Sequence, residues 1–177
     1  MPDVDSVNLA LLGLRLILGA VMLAHGINHI IGGGKIAGTG RWFESLGMKP
    51  GLLHAWLASV TEVAGGAMLM LGLLTPLGCA AVVGVMLVAL ITNHLKNGFF
   101  IFRPGEGYEY VLMLTVTGVA LGALGAGQWS LDNQLGIFDE PFPGWPGLAI
   151  SAGAGFGFAA VLLALFWRPE KKKSDSA

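Results

Sequence analysis

Cysteine is nearly missing from this chain of 177 residues, which has only Cys79. There is no CxxC pair, so the chain cannot itself run the intramolecular disulfide exchange that membrane thiol oxidases use. Charge is scarce too. Only 12% of the residues are charged, whereas soluble domains carry about a quarter. With a net charge of −1 and no basic field, nothing points to nucleic acid as a partner. A phosphate-binding glycine loop, a hydrolase nucleophile elbow and an HExxH zinc signature are all absent.

What the chain does have is apolar length. Hydrophobic residues make up 54% of it and the mean hydropathy is +0.71, more apolar surface than a soluble globule of this size can hide. Stretches nearly free of charge recur at about the 20 residues needed to cross a ~30 Å hydrocarbon core. They run over residues 8–31, 52–74, 76–95, 110–127 and 148–167, with Arg15 inside the first and Glu62 inside the second. Continuous apolar runs without period-2 alternation exclude a barrel, so these are expected to be transmembrane helices. The first has acidic Asp3 and Asp5 ahead of it and too long an apolar run for a signal peptide, so it is expected to be retained.

Between the first two spans, residues 38–50 place Trp42, Phe43 and Leu46 on one helical face, with Arg41, Glu44 and Ser45 turned away, as a short interfacial helix does. Residues 133–147 read as an extracytoplasmic loop, rich in proline and aromatics (Pro141, Phe142, Pro143, Trp145, Pro146). Residues 168–177 form a basic cytoplasmic tail.

Five alternating spans put Lys35, Arg41, Lys49, Lys96, Arg103, Arg168, Lys171, Lys172 and Lys173 on one side, nine of the ten basic residues. The other side has Asp3, Asp5, Asp132, Asp139 and Glu140 and no Lys or Arg. The positive-inside rule then predicts an outside N-terminus and a cytoplasmic C-terminus in a bacterial-type plasma (inner) membrane. Gly118 with Gly122, and Gly153 with Gly157, make small-xxx-small ridges suited to packing within the bundle or to a homo-oligomer.

Ionisable groups inside the spans carry the functional signal, because each costs about 2.5 to 3.5 kcal/mol at a helix centre and demands a partner or a purpose. From the 1.5 Å rise per residue, His25 lies ~9 Å below the cytoplasmic surface, His29 ~3 Å and Glu62 ~13 Å. His94 closes the third span on that side and Glu109 opens the fourth. Arg15 lies nearer the other face, with an axial offset from Glu62 of ~8 Å that a long side chain partly bridges.

His25 and His29 are spaced i, i+4 and share a helix face, but a hydrogen-bonded interfacial pair is a commoner arrangement than a ligand pair, and no metal site is assigned. Haem held by His25 and His94 is a weaker alternative, because their depths differ. Glu62 is either a charge fixed by Arg15 or a histidine, or a proton-handling carboxylate. Glu109 has a simpler explanation, since the macrodipole favours an acid at a helix N-terminus.

These residues have a recognisable order. Arg15, Gly19 and His25-Gly26; Trp42-Phe43-Glu44-Ser45-Leu46-Gly47; Glu62 with Gly65-Gly66 and Gly72-Leu73-Leu74-Thr75-Pro76; His94 with Asn97-Gly98-Phe99-Phe100; Glu106 and Glu109; and Gly127 with Ser130-Leu131-Asp132 together resemble the DoxX family. The resemblance covers roughly residues 9 to 132. It implies a small helical membrane subunit related to the membrane component of thiosulfate:quinone oxidoreductase, and marks Arg15, His25, Glu62, His94, Glu109 and Asp132 as family-like positions. His29 departs from the lysine that commonly follows His-Gly, and the usual four spans leave the fifth as an addition.

The fold class expected is therefore an all-α membrane protein: a DoxX-like four-helix transmembrane bundle over residues 1–132, with a fifth transmembrane helix and a short interfacial helix. The leading functional expectation is a membrane subunit of a quinone-linked redox system, with thiosulfate or thiol chemistry as its connection. In it Glu62 and His25 act on protons, while Arg15, His29, His94 and Glu109 bind the quinone. Electrons must then come from other membrane or soluble redox subunits, because no cofactor motif is visible. The alternative is a non-enzymatic anchor or assembly subunit. A transporter would need an internal repeat with paired broken helices, and none is seen.

Overall fold

A computed structural model describes residues 3–137 and 144–169. Among them all regular secondary structure is helical, apart from one isolated backbone bridge between Met48 and Trp167. Helix α1 spans Val4–Ile31. It starts four residues before the expected span because Asp3 caps it, the carboxylate accepting from the Ser6 N–H at 2.8 Å. Helix α2 (Lys35–Ser45) ends in a turn at Gly47, and α3 (Gly51–Leu71) follows Pro50.

Two glycine-containing ends shorten the expected spans. Gly72 adopts φ +62°, a left-handed conformation that stops α3 three residues early. Helix α4 (Thr75–Ala89) continues through a wider π-type turn at Leu90–His94 and a tight turn at Leu95–Asn97. Helix α5 (Glu109–Leu124) ends at Gly125, also three residues early. Two elements fall where a loop was expected. Ser130 caps the short α6 (Leu131–Leu135) by accepting from the Asn133 N–H at 3.2 Å. The last span begins at Gly144 as α7 (Gly144–Leu148), with Pro146 in the first turn, where its missing N–H costs nothing. It runs through a second π-type turn (Ala149–Ala154) into α8 (Gly155–Phe166). Phe138, Asp139, Glu140, Pro141, Phe142, Pro143 and the tail lysines lie outside the described residues.

Four helical stretches, Val4–Ile31, Gly51–Leu71, Thr75–Asn97 and Gly144–Phe166, are long and apolar enough to cross a membrane. Helix α5 is also apolar but has 16 residues, about 24 Å. Its ends show how far it reaches. Gln128, just past its C-terminus, donates its N–H to Asn8 Oδ1 at 2.8 Å, while Tyr110 at its start stands 6.5 Å from His25, ring centroid to ring centroid. Helix α5 therefore runs antiparallel to α1 over the length from Asn8 to His25.

Hydrophobic burial does not drive helices together in lipid, and close approach at small residues does that work. A Cβ on Gly66 would sit 2.7 Å from the Gly19 carbonyl oxygen, and one on Gly19 equally close to that of Gly66. This is the α1–α3 crossing. Leu18, Met22, Leu69, Val82 and Leu121 fill the centre. Val83, Leu87 and Ala159 join α8 to α4, where a Cβ on Gly155 would meet Val83 at 2.6 Å. The outer face stays apolar, with Leu9, Ile17, Val60, Met113, Val161 and Leu165 exposed, as a lipid-facing surface requires.

Candidate functional site

Helix periodicity assembles the site. On α1, His25 and His29 are one turn apart on one face. On α3, His54, Ala58 and Glu62 repeat every four residues. The π-type turn at the end of α4 adds a residue to the helical turn and brings Thr92, Asn93 and His94 inward, a distortion often found where helices carry function. These residues, with Phe43 of α2, Tyr110 of α5, and Phe158 and Leu162 of α8, line a cavity of about 480 Å³ at one end of the bundle.

At its centre His29 Nδ1 lies 3.1 Å from Glu62 Oε2, with the carboxylate side chain 4% exposed. The two atoms are in close contact without hydrogen-bond alignment, so both retain unused hydrogen-bonding capacity. Phe43 packs its edge on the His29 ring at 6.1 Å and holds it. An imidazole nitrogen facing a carboxylate oxygen is an arrangement in which a proton can reside on either group.

His94 is already engaged. Its Nδ1 donates to the Glu106 carbonyl at 3.0 Å, which leaves Nε2 to accept from Asn93 at 3.4 Å. Neither nitrogen is left over for a metal ion. Among the described residues, no three His, Cys, Asp or Glu side chains are grouped to hold one.

Two of the residues expected from sequence are placed elsewhere. Arg15 is fully buried at the opposite end of the bundle, where Nη2 donates to the Trp129 carbonyl at 2.6 Å and Nη1 to that of Leu69 at 3.4 Å. It lies beneath Gly72, with the Asp132 carboxylate acting on its charge. Asp132 in turn accepts from the N–H groups of Leu74 and Thr75 at 2.6 and 2.9 Å. Arg15 thus belongs to a knot tying α1, the α3–α4 turn and α6 together, and Glu62 takes His29 rather than Arg15 as its partner. Glu109 opens α5, and its carboxylate accepts from the Ile101 N–H at 3.0 Å, which shapes the preceding loop. His25, His29, Glu62 and His94 are the members that meet in the cavity.

Sequence reasoning passed over His54. The residue is 2% exposed, lines the cavity, and has no hydrogen-bond partner at either ring nitrogen. Its spacing of eight from Glu62 was the available signal, hidden because His54 falls so close to the start of the span.

A quinone fits this cavity by chemistry and by size. Ligand sites for small molecules run from about 300 to 1,000 Å³ with mostly apolar walls and a few convergent polar groups. Here the polar atoms left without partners are on His29, Glu62 and His54, and Leu57, Met86 and Leu162 are among the apolar wall.

The sequence pattern of the DoxX family matches residues 10–95. An uncharacterized membrane protein of Mycobacterium tuberculosis is 30% identical over 134 residues, covering 69% of this chain and 78% of that protein. CatD of Bacillus subtilis, provisionally named an oxidoreductase, is 29% identical over 108 residues, covering 61% and 75%. No solved structure matches the chain.

Proposed function

The chain belongs to the DoxX family, and from that premise we propose that it is an integral membrane subunit of a quinone-linked redox system. The observation that carries the reading is the His29–Glu62 pair, buried at 3.1 Å on the wall of an apolar cavity. The provisional oxidoreductase naming of CatD points the same way. A quinone supplies two-electron, two-proton chemistry when bound. The residues of this chain would hold one of its oxygens at Glu62 and His29 and exchange a proton there. His25, one turn deeper on α1 and also on the cavity wall, would be the next group to take up that proton. Electrons would come from a cofactor-bearing partner, whose substrate is of the thiosulfate or thiol class.

The orientation we propose places the cavity end in the cytoplasm of a bacterial-type cell. Lys35, Arg41, Lys49, Lys96, Arg103 and Arg168 cluster at the ends of helices that meet there, which supports this assignment.

Glu62→Gln tests the chemistry. In membranes that hold the native partners, the variant is expected to assemble normally and to lose about a hundredfold or more in quinone-dependent turnover, the usual scale of a proton-transfer group. A variant that fails to assemble, or one that turns over normally, favours the alternative of an anchor subunit in which His29–Glu62 is a structural pair.

A further inference from the structure

His54 is not needed by the proton pair, yet it is the most completely unpartnered polar side chain on the cavity wall. Both ring nitrogens are buried without a partner. The Lys49 backbone lies beside the imidazole, but no hydrogen bond forms between them. Phe166 of α8 packs its ring at 4.9 Å and 66° against the imidazole, fixing its plane. Leu162 and Phe158, one and two turns earlier on α8, line the cavity itself. A donor–acceptor ring held rigidly at an apolar wall, with nothing to bond to, marks the place of a ligand atom.

The spacing says what kind of ligand. His54 and Glu62 lie on one face of α3, eight residues apart, or about 12 Å along the axis. The two oxygens of a para-quinone stand about 5 Å apart across the ring. A hydrogen bond of about 2.8 Å at each end brings the span to about 11 Å. A molecule with one ring oxygen can satisfy only one of the two poles.

We infer, resting on the quinone reading above, that His54 is the second hydrogen-bonding pole of the cavity: it binds the ring oxygen remote from Glu62, and α8 forms the wall over the ring between them. The site thereby selects two-oxygen rings over one-oxygen rings. The helix beyond the usual four-span unit acquires a role, since Phe166 orients His54 and Leu162 and Phe158 cover the occupant.

The full-length protein in lipid nanodiscs is titrated with duroquinone by tryptophan quenching, Trp42 being on the cavity wall. Tetramethylphenol, which keeps one ring oxygen, is measured by competition. The wild-type protein is expected to prefer duroquinone. His54→Ala is expected to weaken duroquinone about tenfold, the equivalent of one hydrogen bond to a buried group, and to leave tetramethylphenol unchanged, so that the preference collapses. His54→Gln, which keeps a donor, is expected to restore part of it. If H54A does not fold, as judged by elution and melting, the H54Q preference decides the question. Leu162→Trp, which fills the cavity with His54 intact, is expected to abolish binding of both probes. Unaltered preference in H54A and H54Q, an equal loss of both probes in the histidine variants, or normal binding in L162W overturns the assignment while leaving the quinone reading in place. No duroquinone binding by the wild-type protein overturns that reading first.

Discussion

Two buried carboxylates in this chain illustrate how the same residue type is put to opposite uses. Asp132 is 3% exposed and saturated: it accepts two backbone N–H bonds at the α3–α4 turn, and its own N–H donates to the Gly72 carbonyl at 2.8 Å. Glu62 is as deeply buried, but its Oε2 touches only His29 and makes no hydrogen bond. A saturated group has nothing to offer a ligand. Asp132→Asn would place an amide N–H₂ against a backbone N–H and leave that donor orphaned, at a cost of about 1–3 kcal/mol. The expected result is a clearly lower thermal unfolding midpoint in detergent, with Glu62→Gln losing less, because Gln still offers an oxygen to His29. Equal losses would make Glu62 as structural as Asp132. Asp132 was legible in the sequence only through family likeness. Nothing in local composition foretells that a residue beyond α5 reaches back to cap the turn before α4.

Helices were the most legible level, because each apolar run came close to or exceeded the length of a lipid crossing and lacked the alternation of a strand. Their ends were less so. Gly72 and Gly125 close α3 and α5 three residues before the apolar pattern fades, since backbone conformation stops a helix where hydropathy does not. The glycine ridges divide in the same way. A Cβ on Gly118 would sit 3.3 Å from Val83 and one on Gly122 against the Ser151 side chain, whereas one on Gly153 or Gly157 would meet no neighbour within 4 Å. One ridge therefore packs the bundle internally and the other is open, although their sequence signatures are alike. Gly122→Ala is expected to overpack the contact between α5 and the π-type turn Ala149–Ala154 by about 1–3 kcal/mol. Gly157→Ala is expected to be neutral or to add stability on the scale of the glycine-to-alanine helix preference, about 0.5–1 kcal/mol. Thermal melts of the two variants side by side check this. A G157A loss as large as that of G122A would mean that the open ridge is covered by another chain.

At the scale of the molecule, the two ends differ in charge and in chemistry. The cavity end gathers the chain turns 32–34, 46–50 and 98–108 and the exit of α8, where the Lys49 N–H donates to the Phe166 carbonyl at 3.2 Å and the Trp167 indole to that of Leu46 at 3.0 Å. The other end has the start of α1, the Arg15–Asp132 knot and α6. This arrangement requires α5 to traverse the bundle, and at about 24 Å it is shorter than the hydrocarbon core it would cross. The loop after it makes up the distance: residues 125–130 lead away from α5 to Arg15 and Asn8, which satisfy the carbonyl of Trp129 and the N–H of Gln128. Labelling can test the traverse directly, because Cys79 is fully buried and gives no background. Single cysteines at the exposed positions Gln134 and Lys96 flank α5 on either side. In intact cells a membrane-impermeant maleimide is expected to modify Gln134→Cys, and to reach Lys96→Cys only after the membrane is opened. Labelling of both from outside would mean that α5 does not cross. Labelling of Lys96→Cys alone would invert the molecule and put the cavity mouth outside the cell.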